Sequence, residues 1–463
     1  MIILIAVRVL LLSTYELGRQ PFGLASPAAW LRREGFDVDV VDTSRGPIDD
    51  AALARAALVG VHLQMHTATR LAGPLIARVR RVNPKAHVCC FGLYAPLNGE
   101  WLQAEGVGSI LGGEYEADLV TLAAHLAKGQ RPPAAATGVS RLRFIQPDRR
   151  GLPPLTAYAR VEMPDGSRRV AGATDASRGC KHLCRHCPIV PVYQGRFRVV
   201  PVDVVMADIT AQVAAGAAHI SFGDPDFFNG PAHAMAIVER LAREHPGVSY
   251  DVTIKVEHLL RHAQLLPRLR DTGCLFVTSA VEAVDDAVLE KLDKGHTRAD
   301  VERAAGLCRG AGLPMAPTFV PFTPWTSVSG YLDLIDTIAR LDLVGHVAPI
   351  QLAIRLLVTA RSALLDLPDV RSRLQPFDPS SLTWPWQHDD PRVDALQRRI
   401  MDAVSETRHA PRAVAFDVIA RLAAEAAGLP PDAAPSVRNP VAAVPRLNEP
   451  WYCCAEPDAE MGV

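Results

Sequence analysis

The 463-residue sequence predicts an α/β protein: two parallel-sheet domains, then a helical region and a proline-rich tail. Three observations predict it. Apolar runs of strand length alternate with amphipathic helical stretches, as parallel strands joined by crossover helices do. The alternation occurs twice, on either side of a polar connector at 131–170. The composition, 49% hydrophobic and 21% charged, supplies apolar surface for cores of that size.

In the first series, over 1–130, strands are expected at 7–12, 37–41, 57–62, 86–91 and 108–111, with helices at 23–33, 67–81 and 116–127. Five strands with intervening helices make a small doubly wound, flavodoxin-like domain. Its ligand mouth lies beyond the carboxyl ends of the strands, at loops 13–20, 63–66 and 92–99. The second series, over 171–360, places strands at 171–177, 219–223, 249–256, 275–280, 314–320 and 346–356. Helical patterns at 202–215, 232–244, 258–271, 287–292 with 298–310, and 328–341 separate them. Six such units suggest a partial (β/α)6 barrel. Residues 361–428 read as helical, notably 393–408 and 412–427. Residues 429–463 form a linker and tail. Six prolines fall between Leu429 and Pro450, so an extended linker of ~3.1 Å per residue reaches roughly 68 Å.

Charge excludes some functions. Lys and Arg number 49 against 50 Asp and Glu, a net charge of −1, so neither a polybasic nucleic-acid surface nor an acidic tail is the main business. The apolar opening run is too short to span a bilayer and lacks a small-residue cleavage site, which favours a buried first strand. With no other stretch of 18 apolar residues, a cytoplasmic location without membrane or nucleic-acid partners is expected. The nine cysteines are too few and too unevenly placed for a secreted disulfide scaffold.

The strongest chemical signal is Cys180-Lys181-His182-Leu183-Cys184-Arg185-His186-Cys187. Its C-x3-C-x2-C spacing sets three thiolates on one loop. These can hold three corners of a [4Fe-4S] cube and leave the fourth iron open. The alternative is a zinc ion completed by His182 or His186. The triplet follows the first strand of the second series, at the carboxyl mouth where barrels carry their chemistry. There the chain resembles the radical S-adenosylmethionine (radical SAM) superfamily over 171–360. The resemblance implies that Cys180, Cys184 and Cys187 hold the cluster and that its open iron binds S-adenosylmethionine, which one electron then splits. It also implies a small-molecule substrate and an electron donor such as flavodoxin or ferredoxin.

The end of the second strand, Ser221-Phe222-Gly223-Asp224-Pro225-Asp226, sits where that superfamily receives the methionine amino group. Gly223 permits close backbone approach and Asp224 or Asp226 could accept from an ammonium; the same residues are also good turn formers. Strand four resembles the family pattern, with Ser279 and Glu282 as candidates for ribose or carboxylate contacts. Lys255 and Glu257 stand at the end of strand three. Arg355, in an apolar strand, needs a partner: either a cofactor carboxylate or a structural salt bridge.

The first domain resembles the cobalamin-binding-type domain of one large radical SAM subgroup, and Gly112-Gly113-Glu114 fits that pattern. The loop Ser13-Thr14-Tyr15-Glu16-Leu17-Gly18 lacks the cobalt-ligating histidine of D-x-H-x-x-G motifs, which weighs against cobalamin without deciding it. His62, His66 and His87 read as satisfied domain residues, and Cys89-Cys90 as small apolar fillers.

Adjacent cysteines make a poor disulfide, but Cys453-Cys454 on a tether beside Trp451-Tyr452 make a good soft-ion chelate. With the barrel, the terminal Cys-Cys-Ala-Glu-Pro resembles the CUAEP/CCAEP-tail radical SAM family, some of whose members carry selenocysteine where Cys453 stands. That family resembles the RCCLKC-tail radical SAM proteins, which include the enzyme of arsinothricin biosynthesis; shared features lie at 319–325 and 351–358. The leading expectation is therefore a transferase that moves a SAM-derived group to a thiophilic, arsenic- or selenium-like acceptor, with Cys453 and Cys454 catalytic. Two others remain: a cobalamin-dependent methyltransferase, and a non-enzymatic metalloid- or redox-binding protein with a degenerate barrel.

Overall fold

The computed structural model describes residues 7–437 and 442–449. β1 (Arg8–Ser13), β2 (Asp37–Asp42), β3 (Leu58–His62), β4 (His87–Phe91), β5 (Ser109–Gly113) and β6 (Ala135–Gly138) form one parallel sheet, in the order β2-β1-β3-β4-β5-β6. Along β1, Leu10 and Leu12 enter one core and Val9 and Leu11 the other. Burial on both faces is why this strand reads as a continuous apolar run. Helices Phe22–Arg33 and Glu116–Ala127 cover one face and His66–Val82 the other.

The second domain holds β7 (Arg160–Glu162), β8 (Arg168–Thr174), β11 (His219–Phe222), β12 (Ser249–Thr253), β13 (Cys274–Glu282) and β14 (Met315–Phe319). Five of these, β8-β11-β12-β13-β14, are parallel and form the half-barrel. A short antiparallel ribbon, β9 (Ser177–Gly179) with β10 (Phe197–Val199), carries the cysteine loop. Helices Pro391–Glu406 and Arg412–Ala426 pack into the barrel's helix layer through Val393, Ile400, Phe416 and Ile419.

Two expectations are corrected. The sixth strand, expected at 346–356, is instead a 3-10 turn, Pro349–Leu352, followed by a single parallel bridge between Phe322 and Arg355. Pro349 has no N–H to give a ladder, yet the bridge still marks the sixth position. The helix expected at 258–271 is broken into Val256–Arg261 and Leu266–Asp271, with Pro267 in the first turn of the second piece. The connector contributes β6 to the first sheet and β7 to the second.

The linker is also shorter in effect than its proline content suggests. Residues Arg446–Leu447 form β15, antiparallel to β7 at the outer edge of the barrel sheet. Leu447 is buried with Val161 and Phe276. Arg160 N donates to Asn448 Oδ1 at 2.7 Å and Asn448 N to Arg160 O at 2.9 Å. Glu449 then lies against Gly18, in the loop after β1. No helix among the described residues is long and apolar enough to cross a membrane.

Leu447→Ala should loosen this tether by about 2 kcal/mol, the cost of a partly collapsible core truncation. Limited proteolysis should then cut within 442–449 roughly 30-fold faster than in the parent chain, with cleavage elsewhere unchanged.

Candidate active site

The carboxyl ends of both sheets open on one shared cleft, with about 2390 Å³ of space free of protein atoms, part of it open to solvent. Glu16, His62 and Tyr115 line it from the first domain, and Cys180, Cys184 and Cys187 from the second. None of the three forms a disulfide.

The loop that carries them is fixed by its backbone. Gly179 has φ of +76°, and a Cβ there would fall 2.5 Å from Arg196 O and 2.4 Å from the Tyr193 ring, so only glycine fits. Asp224 accepts from Ala176 N at 2.8 Å and from Ser177 Oγ at 2.5 Å. Asn229 Oδ1 accepts from Lys181 N at 3.1 Å, and Cys187 N donates to Cys184 O at 3.0 Å. Burial pushes the Cys180 thiol pKa up, so without a metal ion it stays protonated.

The two histidines of the loop face other groups. His182 Nε2 lies 3.3 Å from Asp226 and its Nδ1 3.0 Å from Lys255 Nζ, while His186 Nε2 lies 3.2 Å from Glu282. Donor atoms of Cys180, His182 and Asp226 fall within 4.8 Å of one another and could hold a metal ion. Such a site would leave Cys184 and Cys187 without work. With both imidazoles engaged by carboxylates, the three thiols fit a [4Fe-4S] cluster with one open iron.

The wall facing the loop is acidic and kept ionised. Burial would raise the Asp226 pKa, but His182 and His258 pull it down to about 2; His258 Nδ1 lies 2.6 Å away. Glu282 ends β13 with φ of 71°. Against the raising effect of burial, Lys294, 3.1 Å away, and His186 hold Glu282 well below the usual carboxylate range. Gly223 closes the same wall, and a Cβ there would meet Asp175 Oδ1 at 2.4 Å. Asp175 and Asp224 behave oppositely. Burial raises Asp175 to about 6, and burial with the Asp175 charge raises Asp224 to about 7.

Other expected residues fall elsewhere. Ser279 is buried, but Thr278 and Ala280 line the cleft while its neighbours Val277 and Val281 pack into the helix-facing core. Strand alternation turns Ser279 away from the cleft, which corrects its expected cofactor contact. Of the two partners left open for Arg355, the salt bridge is the one present: Arg355 pairs with Asp394 at 2.6 Å, donates to Trp386 O and lies 3.5 Å over the Trp386 ring. One edge of it still lines the cleft. His87 bonds Ser109 Oγ at 2.8 Å, as expected, and His66 is partnered too. His62 is not the satisfied residue expected: neither ring nitrogen makes a hydrogen bond. Cys453 and Cys454 lie outside the described residues.

The residue that sequence reasoning missed is Arg178. It is 8% exposed and bonds Glu116 at 2.6 and 3.0 Å, Glu114 at 3.2 Å and Ser26 at 3.3 Å. Phe22, Tyr115 and Phe144 surround its guanidinium. Tyr193 OH donates to Glu114 at 3.0 Å. Burial works against the Glu116 carboxylate, yet Arg178 holds its pKa below the usual range. Arg178 is two residues from Cys180, but its partners lie more than sixty residues upstream, beyond the reach of any local pattern.

Comparison with known proteins follows this geometry. Residues 175–326 match the family model described as the Radical SAM superfamily. The hopanoid C-3 methylase of Methylococcus capsulatus is 25% identical over 160 residues, 35% of this chain and 30% of that protein. A tRNA-2-methylthio-N(6)-dimethylallyladenosine synthase of Fusobacterium nucleatum is 26% identical over 213 residues, 41% of this chain and 44% of that one. The chain thus spans less than half the length of these curated relatives. Among solved structures, the cobalamin-dependent radical enzyme OxsB with aqua-cobalamin bound matches with a TM-score of 0.65 and 12% identity, over 87% of this chain and 67% of that one. The radical methyltransferase TsrM of Kitasatospora setae, with cobalamin and a [4Fe-4S] cluster bound, matches with a TM-score of 0.56 and 19% identity, over 73% and 71%. These two share the fold: a parallel-sheet N-terminal domain followed by a curled half-barrel.

Two outcomes are expected. Arg178→Met leaves Glu114 and Glu116 buried without their cation and should cost about 3–5 kcal/mol in urea denaturation. Asp224 ionises near pH 3.8 in the unfolded chain and near 7 in the folded one, so its contribution to stability is lost as pH rises between those values. Asp224→Asn should remove roughly 2 kcal/mol of the wild-type decline between pH 5 and pH 7, read from urea midpoints at each pH.

Proposed function

We propose that the chain is a radical SAM enzyme whose cluster is held by Cys180, Cys184 and Cys187 and whose first domain holds cobalamin, with methyl transfer to a small-molecule substrate as its reaction. The observation that carries this reading is the shared cleft: three thiols outside any disulfide on one rim and a doubly wound domain's strand ends on the other. When bound, a [4Fe-4S] cluster supplies one electron to the sulfonium of S-adenosylmethionine. Cobalamin, when bound, carries a methyl group.

The chain's own residues then bind and orient. Gly223 lets the methionyl part approach the backbone. Asp226 and Glu282, both held ionised, accept from its ammonium group and from ribose hydroxyls. Lys255, buried beside His182, offers a cation to its carboxylate. A one-electron donor of the flavodoxin or ferredoxin kind supplies the reducing equivalent.

A second reading, group transfer to a thiophilic acceptor held by Cys453 and Cys454, has one observation in its favour. Glu449 packs against Gly18 in the loop whose Glu16 and Leu17 line the cleft, and Cys453 follows four residues later in the sequence.

Anaerobic reconstitution with iron, sulfide and cobalamin, then dithionite and S-adenosylmethionine, separates these readings by mass spectrometry. Methyl transfer yields S-adenosylhomocysteine; aminocarboxypropyl transfer yields methylthioadenosine, and Cys453→Ser with Cys454→Ser then loses product while S-adenosylmethionine is still cleaved. Cys180→Ala should abolish all cleavage. An intact cluster that leaves S-adenosylmethionine whole would overturn both.

A further inference from the structure

The first domain contains a histidine placed for a ligand. His62 ends β3, is 1% exposed and lines the cleft. Both of its ring nitrogens are buried without a hydrogen bond. An unsatisfied buried nitrogen costs about 1–3 kcal/mol, so two on one ring call for a reason. The pocket around the ring is built for it. A Cβ on Gly23 would fall 1.9 Å from His62 Cε1, so glycine alone lets the first turn of helix Phe22–Arg33 close over the imidazole. Phe91 and Tyr115 hold it from the sides, with ring centroids 5.3 and 6.0 Å away.

Glu16 Oε2 lies 3.5 Å from His62 Nδ1, and it too has no hydrogen bond. A carboxylate beside one nitrogen of an imidazole whose other nitrogen is vacant is the arrangement that orients a metal-binding histidine. The pair is assembled by strand pairing: β1 and β3 run side by side with Ser13 opposite His62, which brings the loop after Ser13 against the ring. A carboxylate and an imidazole absent as a contiguous motif from 13–18 are thereby brought together from two strand ends.

We propose that His62 is the axial nitrogen ligand of a corrinoid cobalt in this cleft, with Nε2 as the ligand atom and Glu16 as its positioning residue. This rests on the cobalamin reading above and names the contact that reading leaves open.

The test uses cobinamide, the corrinoid stripped of its own nucleotide base, so that any nitrogen bound to cobalt outside the corrin ring comes from the protein. Full-length protein is loaded with cobinamide, reduced to the cob(II) state and examined by electron paramagnetic resonance. The cobalt lines should split into triplets, into doublets when the protein is made with [15N]histidine, and should be unsplit in His62→Ala. Glu16→Gln should weaken cobinamide binding about tenfold. Bound cobinamide without nitrogen splitting in the wild type overturns the proposal, as does splitting that survives His62→Ala; the isotope comparison needs no variant to fold. If the wild type binds neither cobinamide nor cobalamin, the proposal falls together with the cobalamin reading. Release of 5′-deoxyadenosine in the same preparation would show that radical SAM chemistry stands without them.

Discussion

Arg178 carries a charge where a charge survives only in company. A buried guanidinium is tolerated when carboxylates and hydrogen bonds replace its water. Here Glu114 and Glu116 come from one domain, while Arg178 comes from the strand that leads into the cysteine loop of the other. The cation is satisfied only when the two sheets are docked. The cleft follows from that contact, because its rims belong to different domains and this ion pair ties the two together. The same contact fixes the thiols, since Gly179 alone intervenes between Arg178 and Cys180.

Within the cleft the carboxyl groups divide by neighbour. Asp226 and Glu282 face cations and imidazoles and stay ionised, whereas burial raises the pKa of Asp175 and, with the Asp175 charge beside it, that of Asp224. The first pair lines the cleft; of the second, Asp224 accepts from Ala176 N and Ser177 Oγ and so braces the strand that leads into the cysteine loop. Environment rather than residue type assigns the roles. An Asp in Gly223-Asp224-Pro225-Asp226 thus braces backbone at one position and pairs with two imidazoles two residues later.

Much of this was open to reading in the sequence. The alternation of β1 to β5 and β8 to β14 follows from apolar period, and the thiol spacing announces itself. The misses have physical causes. Residues 346–356 carry the apolar content of a strand, but Pro349 denies them a ladder. Ser279 sits in a correctly read strand on its other face, and a one-residue parity decides that. Arg178, Glu16 and His62 act through partners distant in sequence, which pairing of strands and docking of domains bring together.

The strand at Arg446–Leu447 changes what the last residues of the chain can do. A tail swinging from residue 429 would search a sphere of roughly 68 Å radius. Pairing with β7 instead fixes the chain at Glu449, against the loop whose Glu16 and Leu17 line the cleft. A segment tethered there would meet the cleft at a higher effective concentration than one tethered at 429, so even a weak affinity would suffice for frequent encounter.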